Sequence, residues 1–405
     1  MSQVIVIGAG LSGLVAAIKS AEGGQQVTLI SKGLGGLQLS QGTIDIHEQG
    51  LAGLESPAPH PYAAIGAENV LAGVKYLAKL LGPEFLVGDA KKNVYLPTAV
   101  GAIRPTALIP PSMAAGSVRD GAKWLIVGLR RLKDFNASLI AGNLSRLELP
   151  GGGSLSARAL TIDVVAREGE VDSSALTFAR AFDTPDFRQR LVAAIKPELQ
   201  PGEAVGLPAI LGVKQHDFWR ELQASLGCEV FEIPLPPPSV PGMRLNEALT
   251  AKAKALGVRF VLGSYVSGFT AAGGKLVSVT VATTGAPQEF KADKFIYAPG
   301  GFESGALAMD SHYEITEKVF GLPLHGVAPV EELILPDYWD EQPVFKVGVS
   351  VDKQMRPLDA AGKPVYANLH AIGGIIGGAI RWKEKSGEGI ALGSAWAATE
   401  GSENV

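Results

Sequence analysis

The chain has 405 residues, 46% of them hydrophobic, enough to bury more than one core, so two or three lobes are expected. Its charged fraction of 19% and net charge of −4 give no electrostatic footprint for nucleic acid. The single cysteine, Cys228, excludes intrachain disulfides, iron–sulfur ligation by this chain alone and cysteine-based zinc sites, and fits a reducing, cytoplasmic setting.

The first elements in chain order are a strand over Gln3–Ile7, the turn Gly8-Ala9-Gly10-Leu11-Ser12-Gly13, a helix over Leu11–Glu22 and a strand over Gln26–Ser31. A buried strand that turns through GxGxxG into a helix is the context in which this motif predicts dinucleotide binding. Gly8 permits the turn, Gly10 lets a phosphate lie against backbone amides, and Gly13 lets helix and strand pack closely. Leu11 and Ser12 stand at the helix N-terminus, which faces the anion. The second strand ends in Ser31-Lys32-Gly33, where an Asp or Glu would normally accept hydrogen bonds from an adenosine ribose. The phosphate site is therefore predicted without its ribose carboxylate, and Lys32 is read either as a point charge for a cofactor phosphate or as a solvated strand end.

The loop that follows holds Gly35, Gly36, Ser40 and Gly42, candidates for cofactor contact. Helical spacing appears over Asn69–Leu81. Between 94 and 238, short strands (Lys123–Val127, Leu160–Ala166, Ala209–Gly212) alternate with helices (Ser173–Phe182, Pro185–Ile195, Asp217–Ser225). A proline-rich elbow, Ile233–Pro238, leads to a helix over Arg244–Ala255. Val258–Leu262, Tyr265–Thr270, Lys275–Thr283 and Gln288–Ala292 read as a β-meander, and Lys294–Ala298 as a buried strand ending at Pro299-Gly300-Gly301. Strands over Phe345–Val351 and Asn368–Ile372, the latter running into Gly373-Gly374, precede a last helix over Gly389–Glu400. The predicted fold class is α/β, a two-dinucleotide-binding-type flavoprotein fold with a Rossmann-like lobe and an inserted α/β domain. Its expected parts are a flavin lobe over 1–93, an inserted substrate or cap domain over 94–238, and the rest of the lobe over 239–405.

Five motifs in this order, GAGLSGL (Gly8–Leu14), SQGTIDI (Ser40–Ile46), PPPSVPGMRLNEAL (Pro236–Leu249), APGGFESG (Ala298–Gly305) and NLHAIGGIIGG (Asn368–Gly378), make the chain resemble the B-subunit family of the anaerobic glycerol-3-phosphate dehydrogenases. More distantly it resembles the succinate dehydrogenase and fumarate reductase flavoproteins. The resemblance spans nearly the whole chain. It implies a flavin electron-transfer subunit that pairs with a catalytic FAD-bearing A subunit and an iron–sulfur C subunit linked to membrane quinone. The implied reaction is oxidation of sn-glycerol 3-phosphate to dihydroxyacetone phosphate. In the wider superfamily the terminal strand ends in Gly-Asp or Gly-Glu, whereas Gly374 stands here, so a second acid is absent. Losing the ribose acceptor removes a charge-assisted hydrogen bond of roughly 1.5–3 kcal/mol, which favours FMN over FAD, the alternative.

Candidate cofactor contacts are thus Gly8, Gly10, Leu11, Ser12, Gly13, Ser31, Lys32, Gly35, Gly36, Ser40, Gly42, Gly300, Gly301, Gly373 and Gly374, and the final helix is expected to aim amides at the flavin edge. The six histidines show no metal-binding spacing and read mostly as surface or capping residues; a general base, if needed, is sought at His325 or His370, and none is assigned. Arg244 is read as a helix-surface residue or, alternatively, as an anion ligand, and Cys228 as a buried small hydrophobe. No secretory leader is predicted, because the chain begins directly on a strand. No apolar run reaches the roughly 18 residues of a membrane helix, so any attachment to the inner face of the membrane is expected through a partner. Two rival readings are a self-sufficient FAD-dependent reductase or oxidase of another small acid and a degenerate flavoprotein serving as an assembly module.

Overall fold

The computed structural model describes residues 2–400, which form two compact units. The first comprises residues up to Gly36, Ile44–Leu80 and Ala248 onward; the second comprises Leu37–Thr43 and Leu81–Glu247. Sequence patterning puts the divisions at 93/94 and 238/239. Val87–Gly88 pairs with Leu108–Ile109, which ties residues before 94 to the second unit. The helix after the proline elbow is continuous from Val240 to Ala255, so a proline cluster marks its start rather than the end of the unit.

The elements that organise the chain are β1 (Gln3–Ile7), α1 (Leu11–Glu22), β2 (Gln26–Ser31), β3 (Lys123–Leu129), β4 (Ser156–Ile162), β5 (Ala204–Pro208), β6 (Val230–Ile233), α2 (Val240–Ala255), β7 (Arg259–Leu262), β8 (Lys294–Tyr297), β9 (Leu369–Ala371) and α3 (Gly387–Glu400). In the first unit a parallel sheet runs in the order β7-β2-β1-β8-β9. Its central strand is a continuous run of β-branched residues, with Val4, Val6 and Ile5 buried, as a parallel strand covered on both faces requires. Helix α1 buries nine of its twelve residues and packs on α3. The lobe is assembled from segments far apart in sequence because β8 pairs in register with β1, and β9 with β8, Val4 opposite Lys294 and Phe295 opposite Leu369.

The second unit holds a parallel sheet in the order β6-β5-β3-β4 around Trp124, Phe178, Phe182, Phe187 and Phe231, all buried. Both units are α/β. Several predicted segments shift. Val258–Leu262 is not part of the meander: β7 adds in parallel to the free edge of β2, and the antiparallel meander begins at Tyr265. A short stretch with three consecutive apolar residues, Phe260-Val261-Leu262, reads the same in either setting, and the available edge decides. The strand predicted over Ala209–Gly212 lies earlier, at Ala204–Pro208, since Gly212 sits at φ +93 in the turn that follows. Within Phe345–Val351 the strand is limited to Gly348–Val349, because Pro343–Lys346 winds into a single 3-10 turn.

Candidate flavin site

The glycine turn is held between two strands: Gly8 N–H donates to Ile30 O at 2.9 Å, and Ala298 N–H donates to Ile7 O at 2.8 Å. Gly8 has φ +114, and a Cβ there would stand 2.1 Å from Ala298 O. A Cβ on Gly13 would stand 2.1 Å from Gly8 O, so the helix rests directly on the turn with no room for a methyl. Gly10 differs. It is the N-cap of α1 with no side-chain cap, and nothing lies within 4 Å of the place its Cβ would take. The first helical amide bonded within the chain is that of Leu14, to Gly10 O, so the N–H groups of Leu11, Ser12 and Gly13 find no acceptor among the described residues. No acidic side chain occupies the first turn. Unpartnered donors, the positive end of the helix dipole and open space beside Gly10 together fit a phosphate or pyrophosphate.

Other predicted residues gather round this turn. A Cβ on Gly35 would stand 2.3 Å from Ala9 O, and one on Gly373 2.5 Å from Ser12 Oγ, so both backbones approach the loop. Gly301 lies against Gly374 O. Gly300 is covered by the Ser304 side chain instead. Ser31 is buried, and its hydroxyl donates to Gly33 O at 2.7 Å; Lys32 and Gly36 are exposed. Ser40 and Gly42 belong to the second unit, where Gly42 packs on Pro241 and a Cβ on Gly242 would stand 2.7 Å from Ser40 O. A loop of small residues gives no sign in sequence of which unit will take its packing.

Two residues outside the predicted set close the loops after β8 and β9. Arg381 Nη1 donates to Gly374 O at 2.6 Å, and Nη2 to Glu303 Oε1 at 2.9 Å. A guanidinium thus stands at Gly374, in the turn that follows β9. Glu303 lies within APGGFESG, but nothing in sequence links it to an arginine so far along the chain. The final helix departs from expectation at its start. It begins at Gly387, and Gly389 N–H is already engaged by Asp45 O at 3.0 Å, with Tyr62 Oη and Ile46 covering the glycine. Ser394, on the same helix, accepts from Gly373 N–H at 2.9 Å.

The ionisable side chains assort differently from their sequence reading. Arg244 is neither on the helix surface nor open to an anion: its side chain is 5% exposed and forks onto Glu232 at 2.8 and 3.0 Å. Cys228 is half-buried in the turn before β6, and burial pushes its thiol up. His325 is exposed in a two-residue strand. His370 is committed to structure, its Nδ1 lying 2.7 Å from Gln354 O, and burial, reinforced by Lys294, pushes it down to about 4, too low for a base near neutrality. His47 and His60 are buried, and each accepts an amide N–H at Nδ1, from Gln49 and Tyr62 respectively, both at 3.1 Å. His60 caps the Pro61–Ile65 helix, and its Nε2 lies 3.1 Å from Glu384 Oε1.

His47, His216 and His370 set an acid limit on stability. Burial is the leading cause that lowers His47, His216 and His370, so the folded chain binds their protons less readily than the unfolded chain does. Stability is full above the unfolded value of about 6.5 and falls with pH toward the folded values, with His370 contributing at most about 3 kcal/mol. The depressed carboxyls of Glu203, Glu232 and Glu384 enter only below about 4.5. Thermal melts should therefore show loss between pH 6.5 and 4.5, and His370→Asn, which can still donate to Gln354 O, should lose less. A melting temperature flat over that interval in the unsubstituted protein would refute the assignment.

The FAD binding domain family matches residues 3–390, and the chain belongs to it. A protein of Halobacterium salinarum, named as the probable B subunit of an anaerobic glycerol-3-phosphate dehydrogenase, is 29% identical, covering 98% of this chain and 96% of that one. The anaerobic glycerol-3-phosphate dehydrogenase B subunit of Pectobacterium atrosepticum is also 29% identical, covering 97% and 96%. The solved 3-ketosteroid delta1-dehydrogenase of Sterolibacterium denitrificans aligns over 99% of both chains at 9% identity and a TM-score of 0.46, too distant to bear on chemistry. The cofactor class is flavin. The preference for FMN drawn from the missing ribose acid is not supported, since the matching family is one that binds FAD. Among the described residues no helix is long and apolar enough to cross a membrane.

Proposed function

We propose that this chain is the flavin-carrying B subunit of an anaerobic glycerol-3-phosphate dehydrogenase, an oxidoreductase complex in which it relays electrons from oxidation of sn-glycerol 3-phosphate toward membrane quinone. The observation that carries the reading is near-complete coverage of B-subunit relatives by a chain whose glycine turn presents unpartnered amides. When bound, a flavin accepts a hydride and passes its electrons on. In this reading Gly8, Gly10 and Gly13 shape the turn, and the Leu11 and Ser12 amides hold the phosphates. Gly35, Gly301, Gly373 and Gly374 let backbone approach the group, and Arg381, ion-paired with Glu303, braces the loops beside it. Gly36, Gly300, Ser31 and Lys32 complete the loop ends, while Ser40 and Gly42 remain proposed contacts on the strength of the family motif alone.

FAD is the proposed flavin. The A and C subunits are the proposed partners, and attachment to the inner membrane face is proposed to run through them. Residues 94–238 are proposed as the substrate or cap domain within the second unit. The test is purification from the native host, followed by acid release of the cofactor and its identification by mass. Stoichiometric FAD together with co-purifying A and C subunits is the expected result. FMN would overturn the choice of flavin, a colourless protein that stays colourless with either flavin would favour the assembly module, and reduction of the isolated chain by a substrate of its own would favour the self-sufficient enzyme.

A further inference from the structure

The first unit displays large aromatic side chains to solvent in a segment that the cofactor reading does not use. Tyr338 and Trp339 are 81% and 85% exposed, and Trp382 is 63% exposed. Such residues are the common anchors of protein interfaces and are rarely left in contact with water without a purpose. They stand in ordered pairs: Tyr338 meets Trp339 edge-on at 5.0 Å between ring centroids, and Phe345 meets Trp382 edge-on at 6.2 Å. The loop that carries the first pair is braced from within. Leu335 N–H donates to Gln342 Oε1 at 2.7 Å, Gln342 Nε2 donates to Asp337 O at 2.7 Å, and Trp339 N–H donates to Asp337 Oδ1 at 2.9 Å. Glu341 then bonds Lys383 at 2.9 Å, which joins the loop to the residue beside Trp382 and makes the two aromatic pairs one surface. A surface ordered before binding loses less entropy on docking.

We propose that this surface is the docking face for another protein subunit of the same complex, one that presents a basic patch. The proposal rests on the functional reading above. The chemistry of the occupant follows from charge: within residues 331–346 and 381–385, Glu341 is taken by Lys346 and Lys383, Arg381 by Glu303 and Glu384 by His60, and the carboxylates of Glu331, Glu332, Asp337 and Asp340 outnumber the remaining base, Lys385. That excess complements Lys and Arg groups and steers a basic partner. It opposes an anionic lipid surface, which attracts basic segments by about 1 kcal/mol per Lys or Arg and repels acidic ones. It also opposes a two-fold contact between copies, which would set the acidic loop near itself. The position suits an electron-transfer partner, because Arg381, the residue before Trp382, is the one that bonds Gly374 O and Glu303.

The test is a Trp339→Ala/Trp382→Ala variant expressed in the native host, beside Glu332→Lys/Asp340→Lys and a variant with p-benzoylphenylalanine at position 339. All the side chains removed are exposed, so flavin content and melting temperature should stay as in the unsubstituted chain. Each lost tryptophan should weaken association with the stoichiometric partner by about thirtyfold or more. The charge reversal should also weaken it, and the photoproduct should join position 339 to that partner, identified by mass as a subunit of the complex. An intact complex with the double alanine variant overturns the docking face while the functional reading stands. Cross-linking to lipid or to a second copy of this chain overturns the assigned occupant. Purification of the unsubstituted chain with no second subunit overturns both the functional reading and this proposal.

Discussion

Arg244→Ala is expected to destabilise the protein by about 3–5 kcal/mol, the cost of leaving a buried charge without its partner. The Glu232 side chain has no exposed surface, and its two oxygens receive four donors: the two arms of the Arg244 guanidinium, Ser112 Oγ at 2.6 Å and Leu211 N–H at 2.8 Å. Arg244 Nε donates in turn to Gly212 O at 2.9 Å. Burial alone would push the Glu232 carboxyl up; the charge and hydrogen bonds of Arg244, aided by Ser112 and Leu211, more than reverse this and hold it below the usual carboxylate range. With arginine removed, burial dominates and the carboxyl must take up a proton or drag in water. Removing both charges together, as Arg244→Met/Glu232→Leu, should cost much less than the sum of the single losses, because the desolvation of both ions is relieved at once. Urea unfolding of the two single variants and the double variant measures this coupling. A cost below about 1 kcal/mol for Arg244→Ala would refute the buried-pair account.

Gly13→Ala and Gly10→Ala are expected to separate folding from cofactor binding at one turn. The added methyl at Gly13 meets Gly8 O at 2.1 Å and Ala298 Cβ at 3.4 Å, backbone and sheet that cannot yield locally, so α1 must lift from β1. Overpacking of this kind typically costs about 1–3 kcal/mol. It also moves the amides of Leu11, Ser12 and Gly13, so flavin affinity falls with stability. At Gly10 φ is −76, which any residue adopts, and the methyl meets no protein atom. Gly10→Ala should therefore keep the melting temperature while flavin affinity drops, because the methyl enters the space a phosphate needs. Thermal melts of the apoprotein and flavin titration by fluorescence check the pair. Full flavin affinity in both variants would remove the glycine turn from the cofactor site.

Local pattern makes some of this architecture legible. The strand Gln3–Ile7, the helix Leu11–Glu22 and the strand Gln26–Ser31 are bounded by glycine turns and keep one periodicity throughout, so composition alone delimits them. Arg244 was not legible. Its helix is predicted, but the carboxylate that takes it inside belongs to a strand on the far side of the proline elbow, and only folding brings the two together. The same holds for Arg381 and Glu303, 78 residues apart and joined across adjacent loops.

By itself the sequence determined the glycine turn, the flanking strand and helix, the α/β class and the kinship with flavoproteins, because these depend on residues close together or on motifs kept in order. The tertiary structure decided which edge β7 joins, which unit receives Ser40 and Gly42, and which charges are buried as pairs. Those outcomes turn on pairing and desolvation between distant segments, and neither the free edge of a strand nor the dielectric around a side chain is written in the residues beside it.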